Sequence, residues 1–169
     1  MKHRRRSIRL PGYDYASAGW YFVTICCKDQ AHLFGEIRGG EMVLNEVGKI
    51  AEECWMQIPE HFPDVALHEF VLMPNHMHGI IEITVGAENF LPLQPSTNKF
   101  QKMIPRSVSS VIKGFKIGVT KEIRKIMPNV QVWQRNYYEH IIRNQESYQK
   151  IAAYIRSNPA QWQEDEYFR

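Results

Sequence analysis

A chain of 169 residues with 44% hydrophobic content can bury one substantial core, and its length asks for no second domain. No stretch approaches the ~20 consecutive apolar residues of a membrane span, and the basic start runs into Pro11-Gly12 rather than an apolar signal segment, which predicts a cytoplasmic protein with no membrane partner. The net charge of +3 hides a polarity: residues 1–9 carry five bases and no acid and residues 99–125 eight bases against Glu122 alone, so the remainder carries −9, a segregation that suits a polyanion such as nucleic acid.

In chain order, residues 1–12 form a basic tail. Residues 20–27 are aromatic and β-branched and too short for a buried helix, so they predict a central strand. Residues 33–37 and 42–44 flank Gly39-Gly40 and predict a hairpin. Asn45 can cap a helix whose apolar positions Val47, Ile50, Ala51, Cys54, Trp55 and Ile58 recur at helical spacing up to Pro59. Residues 65–73 and 76–85, joined at Pro74-Asn75, predict two antiparallel strands, because so short a link leaves no room for a crossover. Three prolines with Gly, Ser, Thr and Asn make residues 86–106 a long loop. Ser107 can cap a second helix, with apolar positions from Val108 to Ile126, halted by Pro128. Residues 130–133 and 138–142 predict further strands, and residues 145–157 a last helix stopped by Pro159. The order implies a single α+β domain with helices packed on a mainly antiparallel sheet. The three cysteines, Cys26, Cys27 and Cys54, lack a C-x-x-C spacing and read as reduced and structural.

His76 and His78 carry the sharpest chemical signal. Side chains two apart on a strand share a face, so both imidazoles point one way and make a pair of ligands for a divalent metal, given a third group from elsewhere. Their neighbours are apolar, and buried histidines without partners would carry a desolvation cost.

Residues 72–81, Leu-Met-Pro-Asn-His-Met-His-Gly-Ile-Ile, resemble the strand of the HUH nucleases in the form found in single-tyrosine transposases. The run from Trp133 to Asn144, then Tyr148, then Tyr154-Ile155-Arg156-Ser157-Asn158-Pro159, is similar to the C-terminal signature of the REP-associated tyrosine transposases. Together with the opening strand, these blocks span most of the chain in the family's order. The resemblance implies a ferredoxin-like (RRM-like) sheet, an HUH endonuclease fold, recognition of palindromic repeats as single-stranded DNA hairpins, and a divalent ion, Mg²⁺ or Mn²⁺. By motif position it makes Tyr154 the nucleophile and Asn158 a third ligand beside His76 and His78. Tyr137 and Tyr138 lie in the same resembling block and compete with Tyr154.

A phenol with a pKa near ~10 is a poor nucleophile at neutral pH and needs charge stabilisation on the phosphate. Attack by Tyr154 would release a 3′-hydroxyl and leave a 5′-phosphotyrosine. The exchange needs no ATP, so a second strand can reverse it. Basic residues expected to contact DNA are Arg4, Arg5, Arg6, Arg9, Lys102, Arg106, Lys113 and Lys116. Two other readings stay open: a binding module that stacks bases on Tyr21 and Phe22, and a hydrolytic nuclease in which Glu82 adds a ligand. Monomer and homodimer are equally compatible with the sequence.

Overall fold

The computed structural model describes residues 17–84 and 106–168. The basic tail, the expected loop apart from Arg106, and with them Arg4, Arg5, Arg6, Arg9 and Lys102, lie outside the described residues. In chain order the elements are β1 (Gly19–Cys26), the hairpin of β2 (Gly35–Arg38) and β3 (Glu41–Leu44), α1 (Glu46–Met56), the one-turn α2 (Ile58–His61), β4 (Val65–Leu72), β5 (His76–Ile83), α3 (Val108–Ile123), β6 (Tyr138–Ile142) and α4 (Gln145–Ser157).

Four strands form one sheet in the order β4-β5-β1-β6, with every neighbouring pair antiparallel. With the hairpin and the one-turn helix set aside, β1-α1-β4-β5-α3-β6 is the βαββαβ ferredoxin-like arrangement, and α4 is added to it. No described helix is long and apolar enough to cross a membrane.

Local chemistry starts each of the three long helices where the sequence places it. The Asn45 side chain accepts from Gly48 N at 2.9 Å, Ser107 from Ser110 N at 3.3 Å, and Asn144 from Ser147 N at 2.8 Å; each satisfies an amide that the first helical turn leaves without a partner. Gly39 and Gly40 take φ of 59° and 80°, the left-handed pair that a tight hairpin turn requires and side-chain-bearing residues resist.

Three boundaries differ from expectation. Pro59 does not stop helical structure but sits in the first turn of α2, where a missing N–H costs nothing. α3 ends at Ile123, one turn short of Ile126, which is exposed; Pro128 disfavours helical backbone at the preceding residue and draws the end back. Residues 130–133 do not form a strand, since only Trp133 pairs, in a single bridge with Cys27. β6 already occupies β1 from Trp20 to Thr24, which leaves little of that edge free.

Alternation along β1 and β5 separates two cores. Tyr21, Val23 and Ile25 with Met77 and Ile81 face α1 and α3, while Trp20 and Phe22 with Ile80 face Ala152 and Ile155 of α4. The histidines therefore lie on the α4 face. On the other face the Trp55 indole lies against the backbone at Gly79, where a Cβ would stand 2.5 Å from the ring. Gly79→Ala should lose about 1–3 kcal/mol of stability through this overpacking, read as a lowered denaturation midpoint. A variant as stable as the parent would show that the indole can yield.

Candidate active site

His76 and His78 are 0% and 1% exposed, and their Nε2 atoms face each other at 3.1 Å. Asn75 fixes the first ring: its Nδ2 donates to Tyr167 O at 2.9 Å, so its Oδ1 is left to accept from His76 Nδ1–H at 2.8 Å. The His76 Nε2 lone pair then points at His78. Thr24, paired with His78 across β1 and β5, places Oγ1 2.8 Å from His78 Nδ1. A hydroxyl can donate or accept, so His78 can carry its proton on either nitrogen. With Nδ1 protonated toward Thr24, both Nε2 lone pairs converge on one point, the arrangement in which imidazoles hold a metal with anchored outer nitrogens. Burial lowers the pKa of His76 to about 3, and burial reinforced by His76 lowers His78 to about 3. Both rings are neutral near pH 7, as metal ligands must be.

α4 brings Tyr154 over this pair. Its hydroxyl lies 3.2 Å from His78 Nε2 and 3.4 Å from Asp165 Oδ2, and its ring packs across His78 with centroids 5.2 Å apart. The Tyr154 residue is 37% exposed. Burial, with Asp165 adding to it, raises the Tyr154 phenol to about 12. Asn158, at the C-terminal end of α4, donates from Nδ2 to Asp165 Oδ2 at 2.6 Å, while its own Oδ1 is buried with no partner among the described residues.

Asp165 is the residue that sequence reasoning missed. It offers a carboxylate oxygen within 4.8 Å of the ligand nitrogens of His76 and His78, and Tyr167 N donates to its other oxygen at 2.7 Å. The C-terminal segment is laid across the histidines by aromatic contacts: Tyr167 lies 4.6 Å from His76 and Trp162 6.0 Å from it, centroid to centroid. The only hint in the sequence is an acidic and aromatic run after Pro159, with no spacing that ties it to β5. The donor set fits a divalent cation: two converging neutral imidazoles, a carboxylate and an orphaned amide oxygen.

Other expected residues lie elsewhere. Glu82 shares the face of β5 but pairs with His68 at 2.8 Å, and is not in the cluster of His76, His78 and Asp165. Tyr137 takes the opposite face, where its hydroxyl donates to Glu139 at 2.8 Å; Tyr138 is on the Tyr154 face, beside Phe22 at 6.4 Å. Arg106 pairs with Asp64 at 3.2 Å, and Lys113 and Lys116 belong to α3, across the sheet. Tyr21 is fully buried and donates to Ser17 O at 2.8 Å, so it cannot stack on a base; Phe22 stacks on His78 at 5.3 Å.

No family model matches the chain. An uncharacterized protein of Haemophilus influenzae is 49% identical over 169 residues, covering 98% of this chain and 94% of that one. Another H. influenzae protein, provisionally named a REP-associated tyrosine transposase, is 22% identical over 153 residues, covering 86% of this chain and 73% of its own. Among solved structures, a REP-associated tyrosine transposase bound to a REP hairpin superposes with a TM-score of 0.60 at 19% identity, over 91% of this chain and 74% of that one. The chain thus belongs to one family with the 49%-identical H. influenzae protein, and it resembles the REP-associated tyrosine transposases in sequence and in fold.

Proposed function

We propose that this protein is a transposase-like enzyme that cleaves and rejoins single-stranded hairpin DNA, with Tyr154 as nucleophile beside a divalent metal, Mg²⁺ or Mn²⁺, held by His76, His78 and Asp165 with Asn158 in reach. The observation that carries this reading is the Tyr154 hydroxyl 3.2 Å from Nε2 of a buried, neutral histidine pair. Of the four tyrosines in the resembling blocks, Tyr137, Tyr138, Tyr148 and Tyr154, it is the one with its oxygen at the donor cluster. The hairpin in the solved relative supports the choice of substrate.

The residues divide the work. His76, fixed by Asn75, presents one lone pair, and His78 presents a second once its proton lies on Nδ1 toward Thr24. A bound cation would polarise a phosphate oxygen and stabilise the charge that builds on it. Tyr154 Oη attacks the phosphorus, the bond from phosphorus to the 3′-oxygen breaks, and the 5′-phosphate stays on the tyrosine. The phenol proton has two acceptors near it, His78 Nε2 and Asp165 Oδ2; an imidazole nitrogen has a single lone pair, which the cation would take, whereas a carboxylate has several and can hold the cation and still accept the proton. Because a phenol held at about 12 is almost wholly protonated at neutral pH, losing that proton is part of the barrier.

Tyr154→Phe should abolish the covalent protein–DNA adduct seen on denaturing electrophoresis after incubation with hairpin DNA and Mn²⁺, and leave binding and melting temperature unchanged. An adduct that persists would move the role to Tyr138, which shares the face. Next, His78→Ala should slow cleavage by about two orders of magnitude or more while hairpin affinity changes by less than about threefold, because transition-state contacts act on rate and most affinity comes from phosphate contacts. EDTA should do the same to the parent protein, which separates ligand loss from misfolding; cleavage undiminished by EDTA would sink the metal assignment. Finally, adduct formation should climb with pH between about 6 and 9, since the phenol stays protonated throughout, without the inflection near 6.5 that an unperturbed imidazole gives. Such an inflection would mean that a histidine titrates during catalysis.

A further inference from the structure

The face of the sheet away from the histidines has an opening that the chemistry above leaves unused. α3 and the segment between it and β6 line an open pocket of about 790 Å³, within the size range of small-ligand sites. Lys113, Lys116, Lys121, Arg124 and Arg135 line it, and no carboxylate does. Lys116 is already engaged: its Nζ donates to Gln134 O at 2.9 Å and Asn136 O at 3.2 Å, so it holds the wall in shape. The other four are exposed, and none forms an ion pair with a described residue. Between them lies Trp133, half-buried, its ring fixed by donation from Nε1 to Lys116 O at 3.2 Å and by packing 5.5 Å from Phe34 and Phe115. A fixed indole ringed by cations suits a planar base joined to phosphates.

The cavity and the Tyr154 centre lie on opposite faces of the sheet, on either side of β6. Tyr138 is the first residue of β6, an edge strand, and Tyr137 immediately precedes it. Tyr137 lines the cavity, while Tyr138, 42% exposed, stands on the other face beside Phe22, itself 6.3 Å from Tyr154. A strand leaving Tyr154 has only to cross the β6 edge to enter the cavity.

We propose that this cavity is a second nucleic-acid site, which takes an unpaired nucleotide of the DNA strand being processed, with its base against Trp133 and its phosphates on Lys113, Lys121, Arg124 and Arg135. The identity of the strand rests on the function proposed above; the site itself rests on charge, shape and position. The commitment is to unpaired DNA rather than duplex DNA or RNA.

The test compares two hairpin DNAs, one blunt and one with a single-stranded extension, and an RNA copy of the second, bound to a Tyr154→Phe protein and to the same protein with Lys121→Glu and Arg124→Glu. Both added changes are at exposed positions, and melting temperature checks the fold. The extended hairpin should lose about tenfold or more in affinity and shed about 1.4 from its log–log salt slope, for two phosphate contacts on a single strand; the blunt hairpin should change by less than threefold. A photoreactive base in the extension should crosslink to Trp133 or Tyr137. Equal losses on the blunt and extended hairpins would reduce the bases to general attraction and overturn the site. RNA bound as tightly as DNA would overturn the assignment to DNA, and crosslinks confined to other segments would overturn the placement. Since binding is read without the nucleophile, the two readings fail separately. An adduct in the parent with unaltered binding in the charge variant sinks this site alone, whereas selective loss of the extended hairpin in a protein that never forms an adduct sinks only the proposed chemistry.

Discussion

Two imidazole nitrogens held 3.1 Å apart in a place without solvent impose the constraint from which the rest of this centre follows. Each ring alone is cheaper to bury neutral than charged. Two neutral rings can face each other in only two ways: one N–H pointing at the other's lone pair, or both lone pairs pointing at a shared cation. Asn75 removes half of this freedom by demanding the proton of His76 Nδ1. Thr24 leaves the other half intact, since its hydroxyl serves either tautomer of His78. The pair is therefore ready to gain a cation by moving one proton, with no change in backbone or rotamer.

That readiness depends on contacts from remote parts of the chain. Thr24 comes from β1 and is set opposite His78 by strand register. Asn75 sits in the turn between β4 and β5, and its amide is oriented by the carbonyl of Tyr167, more than ninety residues on. Asp165 is held between Tyr167 N and the Asn158 side chain. Were the segment after α4 to swing away, the pair would lose its carboxylate and the Asn75 amide its anchor together. His76 would then lose the bond that selects its tautomer.

The sequence foreshadows what is local. Period-two alternation in residues 76–83 places both histidines on one face, the polar caps mark all three long helices, and Gly39-Gly40 marks the hairpin turn, because each of these is decided within a few residues. The succession of elements foreshadows an α+β domain with a mainly antiparallel sheet; the βαββαβ order emerges once the expected strand at residues 130–133 is removed, and the ferredoxin-like arrangement is implied by the family resemblance. What stays hidden is decided across long separations. Asp165 is one of several acids in an acidic tail until the aromatic contacts of Trp162 and Tyr167 bring it to the histidines. Residues 130–133 have the composition of a strand but meet an edge already filled by β6. Tyr21 reads as an exposed platform beside Phe22, yet alternation turns it into the other core, where it is fully buried.

The distribution of charge separates binding from bond breaking. The centre on the α4 face holds neutral imidazoles, a protonated phenol and one carboxylate, a poor set for attracting a polyanion. The described bases of α3, with Arg135, lie across the sheet. Under the proposed function, phosphate contacts there would position a strand without reading it, and because exposed bases do not touch the reacting atoms, their attraction would be the same before and during the reaction. Such uniform binding raises occupancy but leaves the barrier unaltered. The barrier is left to the few groups within about 3.5 Å of the Tyr154 oxygen, His78 and Asp165. Under the proposed chemistry, selectivity for a particular DNA would come from which strands can lie across the β6 edge with a phosphate at Tyr154, a matter of where the hairpin ends and its unpaired flank begins.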